Sequence, residues 1–479
     1  MPKILKEQRE KSQLRIADAA LKLFTTKGFH GTNTREIAKE VGVSTGSIYT
    51  HYPSKEAMFK DLTQRYRTNV ENWLAQTVRK IPDPLSRSGL TTLASAIRAK
   101  VRANPEYLLL IFIDVVEFRN QYFAKTFVNV PEQFRKLLGD RLEQVKTQPG
   151  WRGGDPAFVL AAVYLYFFNY FVTKKFVLGR RYLGVSDEKA VSGFIELILH
   201  GLWSTREGAR DGEPHGRKSD ASAEQKSLLR TAREQVGLIR LLAGRLLNPV
   251  EDNSHYSRRK HDERPERQPI LFEPRITREG IDENRLRIEA AALELFTTQG
   301  FHGTNILEIA DKAGISGAGI YTYYSSKQAI FQSLVLNYRA CLRRFRNGIL
   351  STLRAPFSRA EITFLAAFME SMVYDDAEYY LLMYIDILEF KSRYFADLFH
   401  DLPGQFRRRL GLILEKAKKS PGWCGADPAF VFALVFTFFF SYFMVERLMC
   451  RRHLAVSDEE ALERFIDILS FGLWAPEGI

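Results

Sequence analysis

Short polar side chains follow a glycine turn near the start of the chain. Ser44 comes two residues after Gly42 and can cap a short helix that runs through Tyr49. Thr45 and Ser47 stand in the first turn of that helix, and each hydroxyl can donate and accept hydrogen bonds. Small side chains at the start of a helix let its end approach the major groove of DNA and touch base edges. The first candidate chemistry is therefore hydrogen bonding to nucleobases.

Helices on either side must position these groups. Apolar residues recur every three to four positions from Leu14 to Phe24, which predicts an amphipathic first helix. Asn33 stands three residues before Glu36, a spacing typical of a reciprocal N-terminal cap on a second helix, TREIAKEV. Ser54 can cap the helix after the short one. Two short helices joined by a glycine turn predict a helix-turn-helix unit.

The same unit occurs twice. The stretch from Leu14 to Phe59 returns from Leu286 to Phe331, with 29 of 46 positions identical. Later segments repeat as well: NPEYLLLIFIDVVEFRNQYFAKTF matches DAEYYLLMYIDILEFKSRYFADLF, and PGWRGGDPAFV matches PGWCGADPAFV. Trp203 and Trp474 close the two copies. Because solenoid repeats span only about 20 to 50 residues, this long period indicates duplication of a whole protein.

The repeated motif resembles a known family. The segments ALKLFTTKGFHG and TNTREIAKEVGVSTGSIYTHYPSKE, ending at Glu56, are similar to the signature of the TetR (tetracycline-repressor-like) transcriptional regulators. The resemblance implies an all-α protein, here with two tandem copies. Each copy would have a three-helix DNA-binding head and a larger helical body that binds a small ligand and dimerises.

The resemblance also implies which residues contact DNA. Arg35 and Lys55 would neutralise phosphates and Thr32 would donate to one, which fixes register without reading sequence. The implied contacts in the first copy are Thr32, Arg35, Thr45, Ser47, Tyr49, Thr50, His51 and Lys55. Those in the second copy are Thr304, Gly317, Gly319, Tyr321, Thr322, Tyr323 and Lys327.

The second copy has lost polar groups at these places. Thr34 and Arg35 become Ile306 and Leu307, and the segment STGS becomes SGAG. His51 is replaced by Tyr323. We therefore expect the second head to bind DNA phosphates and to contribute little to discrimination between bases.

The predicted domain organisation follows the repeat. We expect a head over 1–62 and a body over 63–204 in the first copy, a linker over 205–280, then a head over 281–334 and a body over 335–479. The middle of the linker, AEQKSLLRTAREQVGLIRLLAGRLL, is amphipathic at helical spacing. Packing on one of the two bodies is the preferred interpretation, and a partner or membrane-surface helix is the alternative.

Each body contains an apolar helix with two acidic residues one turn apart, which suggests a ligand pocket. In an apolar pocket these carboxylates would act as polar anchors for a small hydrophobic ligand. The alternative is structural pairing with nearby arginines, Arg119 and Arg393. The candidate pocket residues are Phe112, Asp114, Glu117, Phe118, Tyr122, Tyr384, Asp386, Glu389, Phe390 and Tyr394.

Composition limits the remaining classes. A net charge of +13 over 479 residues suits a polyanionic partner such as double-stranded DNA. The apolar runs 157–173 and 429–445 are short for a membrane span and predict buried core helices, so no membrane partner is expected. The three cysteines fit a reducing, cytoplasmic location. No phosphate loop, metal-ligand spacing or nucleophile–base arrangement predicts an enzyme, a metal or a cofactor.

Two assemblies remain open. In an intrachain pseudo-dimer the runs 157–173 and 429–445 and the terminal helices would form a four-helix interface. In the other assembly two chains pair copy to copy and present four heads. The expected function is a sequence-specific DNA-binding regulator, in the form of a ligand-responsive repressor. The alternative function is a ligand-independent DNA-architectural or scaffolding factor.

Overall fold

The computed structural model describes residues 2–152, 154–178, 183–201, 218–247, 283–355, 357–420, 423 and 426–471. These residues form helices and turns, with no β-strand among them. The all-α fold class predicted from the repeat is therefore confirmed. Trp203 and Trp474 lie outside the described residues.

Ten helices lie in the described part of the first copy. They are α1 (Pro2–Lys27), α2 (Thr34–Val41), α3 (Thr45–Tyr49), α4 (Lys55–Arg79), α5 (Arg87–Ala103), α6 (Pro105–Glu117), α7 (Ala124–Phe127), α8 (Val130–Thr147), α9 (Pro156–Thr173) and α10 (Asp187–His200). A π-helical turn, Lys174–Leu178, extends α9.

Among the described residues, a linker helix and nine further helices follow. They are α11 (Lys218–Leu247), α12 (Glu283–Gly303), α13 (Ile306–Lys312), α14 (Ile320–Tyr323), α15 (Lys327–Thr352), α16 (Arg359–Asp375), α17 (Ala377–Phe390), α18 (Leu402–Lys418), α19 (Pro428–Met444) and α20 (Asp458–Phe471). The second copy also has a π-helical turn after α19, Val445–Met449, and a short 3-10 turn, Ala396–Leu398.

The first head is a small three-helix core closed by the start of α4. Phe24 of α1, Ile37 of α2, Ile48 of α3 and Phe59 of α4 are fully buried together. Burial of each such side chain stabilises the fold by about 1.5–3 kcal/mol, so the small head is held mainly by these contacts. Leu14, which the periodicity placed on the buried face of α1, is 46% exposed, because α1 extends past the head core at that end.

The two longest apolar helical segments lie at the centre of the bodies. Pro156–Val177 and Pro428–Met449 are long and apolar enough to cross a bilayer, but 94% of the most apolar window of each is buried inside the protein. Helix α9 packs on α5 and α8, and α19 packs on α16 and α18. Their uniform apolarity reflects burial on all sides, as expected for a core helix.

The two bodies contact each other through equivalent helices. Helix α9 meets α19, and α10 meets both α19 and α20. The Phe158 and Phe465 rings lie 5.2 Å apart, and those of Tyr166 and Phe438 lie 5.9 Å apart. A Cβ on Gly193 would stand 2.4 Å from the Phe430 ring, so only glycine lets α10 approach α19 this closely. Helices α9 and α19 contain the two apolar runs, and α10 and α20 are the last described helices of the two copies; the pseudo-dimer itself stays a prediction.

The main contacts of helix α11 among the described residues are with the second body. It packs on α16, α15 and α20. Arg233 donates from Nε to Glu370 at 2.6 Å and from Nη1 to Glu459 at 3.1 Å. The face of α16 beneath it carries Phe364 and Ala367, which are buried. The equivalent residues of α5 are Thr92 and Ser95, which are exposed.

Candidate nucleic-acid interface

The predicted caps fix the helix-turn-helix of the first head. Asn33 and Glu36 form a reciprocal capping box at the start of α2. Gly42 ends this helix with φ 77°, a left-handed conformation that glycine adopts without strain. The Ser44 hydroxyl oxygen then accepts from the backbone N–H of Ser47 at 3.1 Å and starts α3. The turn therefore holds α3 at a defined angle to α2.

The exposed face of α3 carries the predicted base-reading groups. Ile48 is fully buried and anchors the helix, while Tyr49 on the opposite side is 52% exposed. Thr45 and Ser47 are partly exposed at the first turn, as is His51 just beyond the helix. The Thr50 hydroxyl donates to the Ser47 carbonyl oxygen at 2.7 Å, which leaves its oxygen free to accept. Arg35 is exposed on α2 beside this face.

Two residues expected to contact phosphates have partners inside the head. The Thr32 side chain is buried and donates to the Gly28 carbonyl oxygen at 2.8 Å. The Lys55 ammonium donates to the carbonyl oxygens of Phe29 and Thr32, at 2.7 and 2.6 Å. These contacts close the end of α1, and burial lowers the pKa of Lys55. The Thr32 hydroxyl could donate to a phosphate only by leaving this carbonyl, whereas the Lys55 ammonium has a third N–H donor that these two bonds do not use.

The second head repeats this frame with Thr304 and Lys327. Thr304 donates to the Gly300 carbonyl oxygen at 2.9 Å, and Lys327 donates to the Thr304 carbonyl oxygen at 2.5 Å. Asn305 and Glu308 form the matching capping box on α13. Both lysines were expected to contact DNA, and their pairing with the end of α1 or α12 is a tertiary contact that sequence spacing does not show.

The recognition surface of the second head is more apolar. Leu307 is 61% exposed, and its Cδ2 lies 2.7 Å from where a Cβ on Gly317 would stand. Gly319 precedes α14, which spans only four residues. Tyr321 is 54% exposed and Thr322 is also exposed, whereas the Tyr323 hydroxyl accepts from Asn284 at 3.0 Å. Tyr321 and Thr322 are thus the outward polar groups of this predicted set.

The candidate pocket acids in the first body bind backbone groups. The buried Asp114 carboxylate accepts from the backbone N–H groups of Tyr122 and Phe123, and so orders the turn after α6. Glu117 accepts from the N–H groups of Phe29 and His30, at 3.0 and 2.7 Å, and so ties the body to the end of α1. Burial raises the pKa of Asp114 to about 6. It raises that of Glu117 to about 7, despite the two N–H donors.

The acids of the second body are placed in the same way. Asp386 accepts from the N–H groups of Tyr394 and Phe395, and burial raises its pKa to about 6. Glu389 contacts the imidazole of His302 on the second head. The expected alternative of pairing with Arg119 and Arg393 is therefore replaced by backbone and histidine partners.

The aromatic residues predicted to line a pocket lie where a head packs on a body or where the two bodies pack on each other. Phe112 of one copy stacks on Tyr384 of the other with ring centroids 4.7 Å apart. Phe118 packs on Phe29 and Phe59 of the first head, with Tyr122 against it. The equivalent contacts in the second copy are Phe390 on Phe301 and Phe331, and Tyr394 on Phe390. The structure thus brings these residues to the head–body and body–body contacts; the ligand pocket itself stays a prediction.

The two heads also touch each other through their GFHG loops. A Cβ on Gly31 would stand 2.7 Å from the His302 Cβ, and one on Gly303 would stand 2.8 Å from the His30 Cβ. Both contacts are closer than side-chain atoms tolerate, so glycine is required at both positions. Glu117 lies beneath this contact and also approaches Gly300 of the other copy.

The two heads match a family of known proteins. A family model described as bacterial regulatory proteins of the tetR family matches residues 16–62 and 288–334, the two helix-turn-helix heads. The chain belongs to the TetR family. It carries two tandem copies of the family's DNA-binding domain and is a DNA-binding transcriptional regulator.

Curated HTH-type transcriptional regulators are similar to part of the chain. An uncharacterized HTH-type transcriptional regulator of Bacillus subtilis, YfiR, is 29% identical over 31% of this chain and 74% of its own length. Another from the same organism, YvkB, is 25% identical over 39% of this chain and 95% of its own length. The HTH-type transcriptional regulator AcrR of Shigella flexneri is 33% identical over 18% of this chain and 40% of its own length.

Proposed function

We propose that this TetR-family chain binds DNA as an intrachain pseudo-dimer in which the first head reads bases and the second head holds the backbone. The observation that carries the proposal is the contact between the two GFHG loops, which places two helix-turn-helix units side by side in one polypeptide. The difference between a polar α3 and an apolar α13–α14 surface supports the division of roles.

Covalent linkage favours this arrangement thermodynamically. Joining two heads in one chain replaces a bimolecular association by an intramolecular one, so their pairing no longer depends on protein concentration. A two-fold homodimer requires a two-fold operator, whereas two unlike heads do not. We therefore expect an asymmetric operator with one well-defined half-site.

A ligand-responsive repressor is the second part of the proposal. Glu117 and Glu389 connect the ends of α6 and α17 to the two heads. A ligand that shifts either helix would therefore shift the GFHG loops and change the spacing of the heads. Such a ligand needs different affinities for the DNA-competent and DNA-incompetent arrangements.

The DNA half of the proposal is tested by recovering bound genomic fragments and sequencing them. In the double variant Thr45→Ala and Tyr49→Ala we expect site preference to disappear, since a good base contact discriminates by about 1–3 kcal/mol. The matched variant Tyr321→Ala and Thr322→Ala in the second head should weaken binding and keep the preference. An unchanged motif in the first variant would contradict the assignment of the reading helix.

The assembly is tested by measuring the mass of the protein–DNA complex by light scattering. One chain of 55.1 kDa per operator is expected for the pseudo-dimer. Two chains per operator would favour the alternative in which tandem chains pair copy to copy and present four heads.

A ligand-independent architectural factor is the competing function. It is favoured by the tight packing of the predicted pocket aromatics, such as Phe112 on Tyr384. The two functions differ in a simple measurement, which is DNA affinity with and without the small-molecule fraction of a cell extract. A constant affinity would support the architectural role.

A further inference from the structure

A basic cavity lies in the second body, away from the predicted aromatic pocket. Its volume is about 460 Å³, and it opens between α15, the turn around Asp397 and α18. The described residues that line it include five arginines and one acid: Arg339, Arg343, Arg346, Arg408, Arg409 and Asp397. Cavities of about 300–1,000 Å³ accommodate small-molecule ligands.

Among the described residues, little negative charge faces this cavity. The Nε atoms of Arg339 and Arg346 are buried and have no hydrogen-bond partner among the described residues. Burial lowers the pKa of Arg346, and the positive charges of Arg409 and Arg343 lower it further. The Asp397 Oδ2 atom lies 3.8 Å from Arg339 Nη2, and the Asp397 side chain is 84% exposed. Its carboxylate therefore offsets the Arg339 charge only weakly. Buried guanidinium groups without counter-charges are unfavourable unless an anion joins them.

The first copy serves as an internal comparison. The equivalents of Arg343, Arg346 and Arg409 are Glu71, Leu74 and Leu137. Leu74 is buried in the core, and Leu137 packs against that core. The equivalent of Arg339 is Arg67, whose Nε lies 3.8 Å from the Glu71 carboxylate. The cavity chemistry is therefore a property of the second copy and not a requirement of the fold.

We propose that this cavity binds a small polyanion that carries two or more phosphate or carboxylate groups. Guanidinium groups match the oxygens of such ligands in a bidentate fashion, and several of them line this one solvent-open cavity. A ligand in this cavity would occupy only one of the two bodies of the pseudo-dimer. The inference rests on the ligand-responsive function proposed above and names the chemical class of the ligand.

The cavity is connected to the second head. Arg339 Nη1 donates to the Tyr394 carbonyl oxygen at 2.6 Å, and the Tyr394 hydroxyl accepts from Gln328 near the start of α15. The Tyr394 ring packs on Phe390, which packs on Phe301 of the head. An anion that draws Arg339 into the cavity would therefore pull on the chain segment that contacts the head.

Calorimetric titration of the full chain tests the proposal, with inorganic tripolyphosphate and citrate as separate probes at constant ionic strength. The test variant is Arg346→Leu with Arg409→Leu, which restores the residues of the first copy and should fold at least as well. The matched control is Arg67→Gln in the first copy. We expect one site per chain in the wild type, at least tenfold weaker binding in the test variant and unchanged binding in the control.

The two probes separate the ligand chemistries. Tighter binding of tripolyphosphate points to a phosphorylated ligand, and tighter binding of citrate points to a polycarboxylate; both support the site. Equal affinity in the wild type and the test variant, or no heat with either probe, would overturn the proposal. So would a loss of DNA binding by the test variant without ligand, because the arginines would then belong to the DNA surface. Failure of the wild type to bind DNA would refute the regulatory function independently of anion binding.

Discussion

Glu117 should make the stability of the head–body junction depend on pH. Its carboxyl is 4% exposed and accepts two backbone N–H groups of the first head. Burial, together with the charge of Glu389, raises its pKa from 4.5 to about 7. At about 1.4 kcal/mol per pKa unit, this rise in pKa corresponds to a change of about 3 kcal/mol in the free energy of unfolding.

The direction follows from proton binding. Between about pH 4.5 and 7 the folded protein keeps a proton on Glu117 that the unfolded chain has released. The contribution of protonated Glu117 to the free energy of unfolding is therefore fully present below pH 4.5. It is lost as the pH rises to about 7 and stays lost above that value. Other buried acids, such as Asp114 and Asp386, act in the same direction, so the Glu117 contribution must be measured as a difference.

The assay is urea unfolding followed by circular dichroism at several values between pH 5 and 8, at constant ionic strength. In Glu117→Gln the loss of stability over this range should be smaller than in the wild type by about 2–3 kcal/mol. Glu389→Gln should reduce the loss in part, because it removes the repelling charge. Glu106→Gln, at an exposed site on the same helix, is the control. Equal pH dependence in Glu117→Gln and the wild type would refute the reasoning.

Two further predictions concern the heads. Asn33→Ala removes the capping box with Glu36 and should cost about 1 kcal/mol of unfolding free energy, measured by denaturation; no change would mean that the cap is not formed in solution. Gly303→Ala places a Cβ 2.8 Å from that of His30, so it should alter head spacing and lower operator affinity, measured by fluorescence anisotropy. Gly411→Ala, where an added Cβ meets nothing within 4 Å, should leave affinity unchanged, and equal effects of the two substitutions would contradict the head–head contact.

The local features of the heads could be predicted from sequence because they depend on neighbours along the chain. The capping box at Asn33, the left-handed turn at Gly42 and the cap at Ser44 each involve partners within four residues. The repeat and the apolar runs likewise predicted two similar bodies and their central helices. Hydrogen-bonding capacity and periodicity carry this information without reference to tertiary structure.

Other features depended on groups that are far apart in the sequence. Lys55 would ordinarily be expected at the surface because it is charged. Its ammonium instead donates to two backbone carbonyl oxygens that lie 23 and 26 residues earlier in the chain. Glu117 reaches backbone amides 87 and 88 residues away. The sequence pattern singled out both residues but could not show these intramolecular partners, and their roles toward DNA and ligand stay predictions.

The sequence by itself determined that this protein is a tandem pair of helix-turn-helix heads on helical bodies, since capping, turns and periodicity are local. The tertiary structure alone decided which body α11 covers, where the heads touch and which arginines share a cavity. Arg346 and Arg409 are separated by more than sixty residues, and only the packing of α15 against α18 brings their charges together. Electrostatic and steric contacts depend on distance in space, and the linear order of residues does not record that distance.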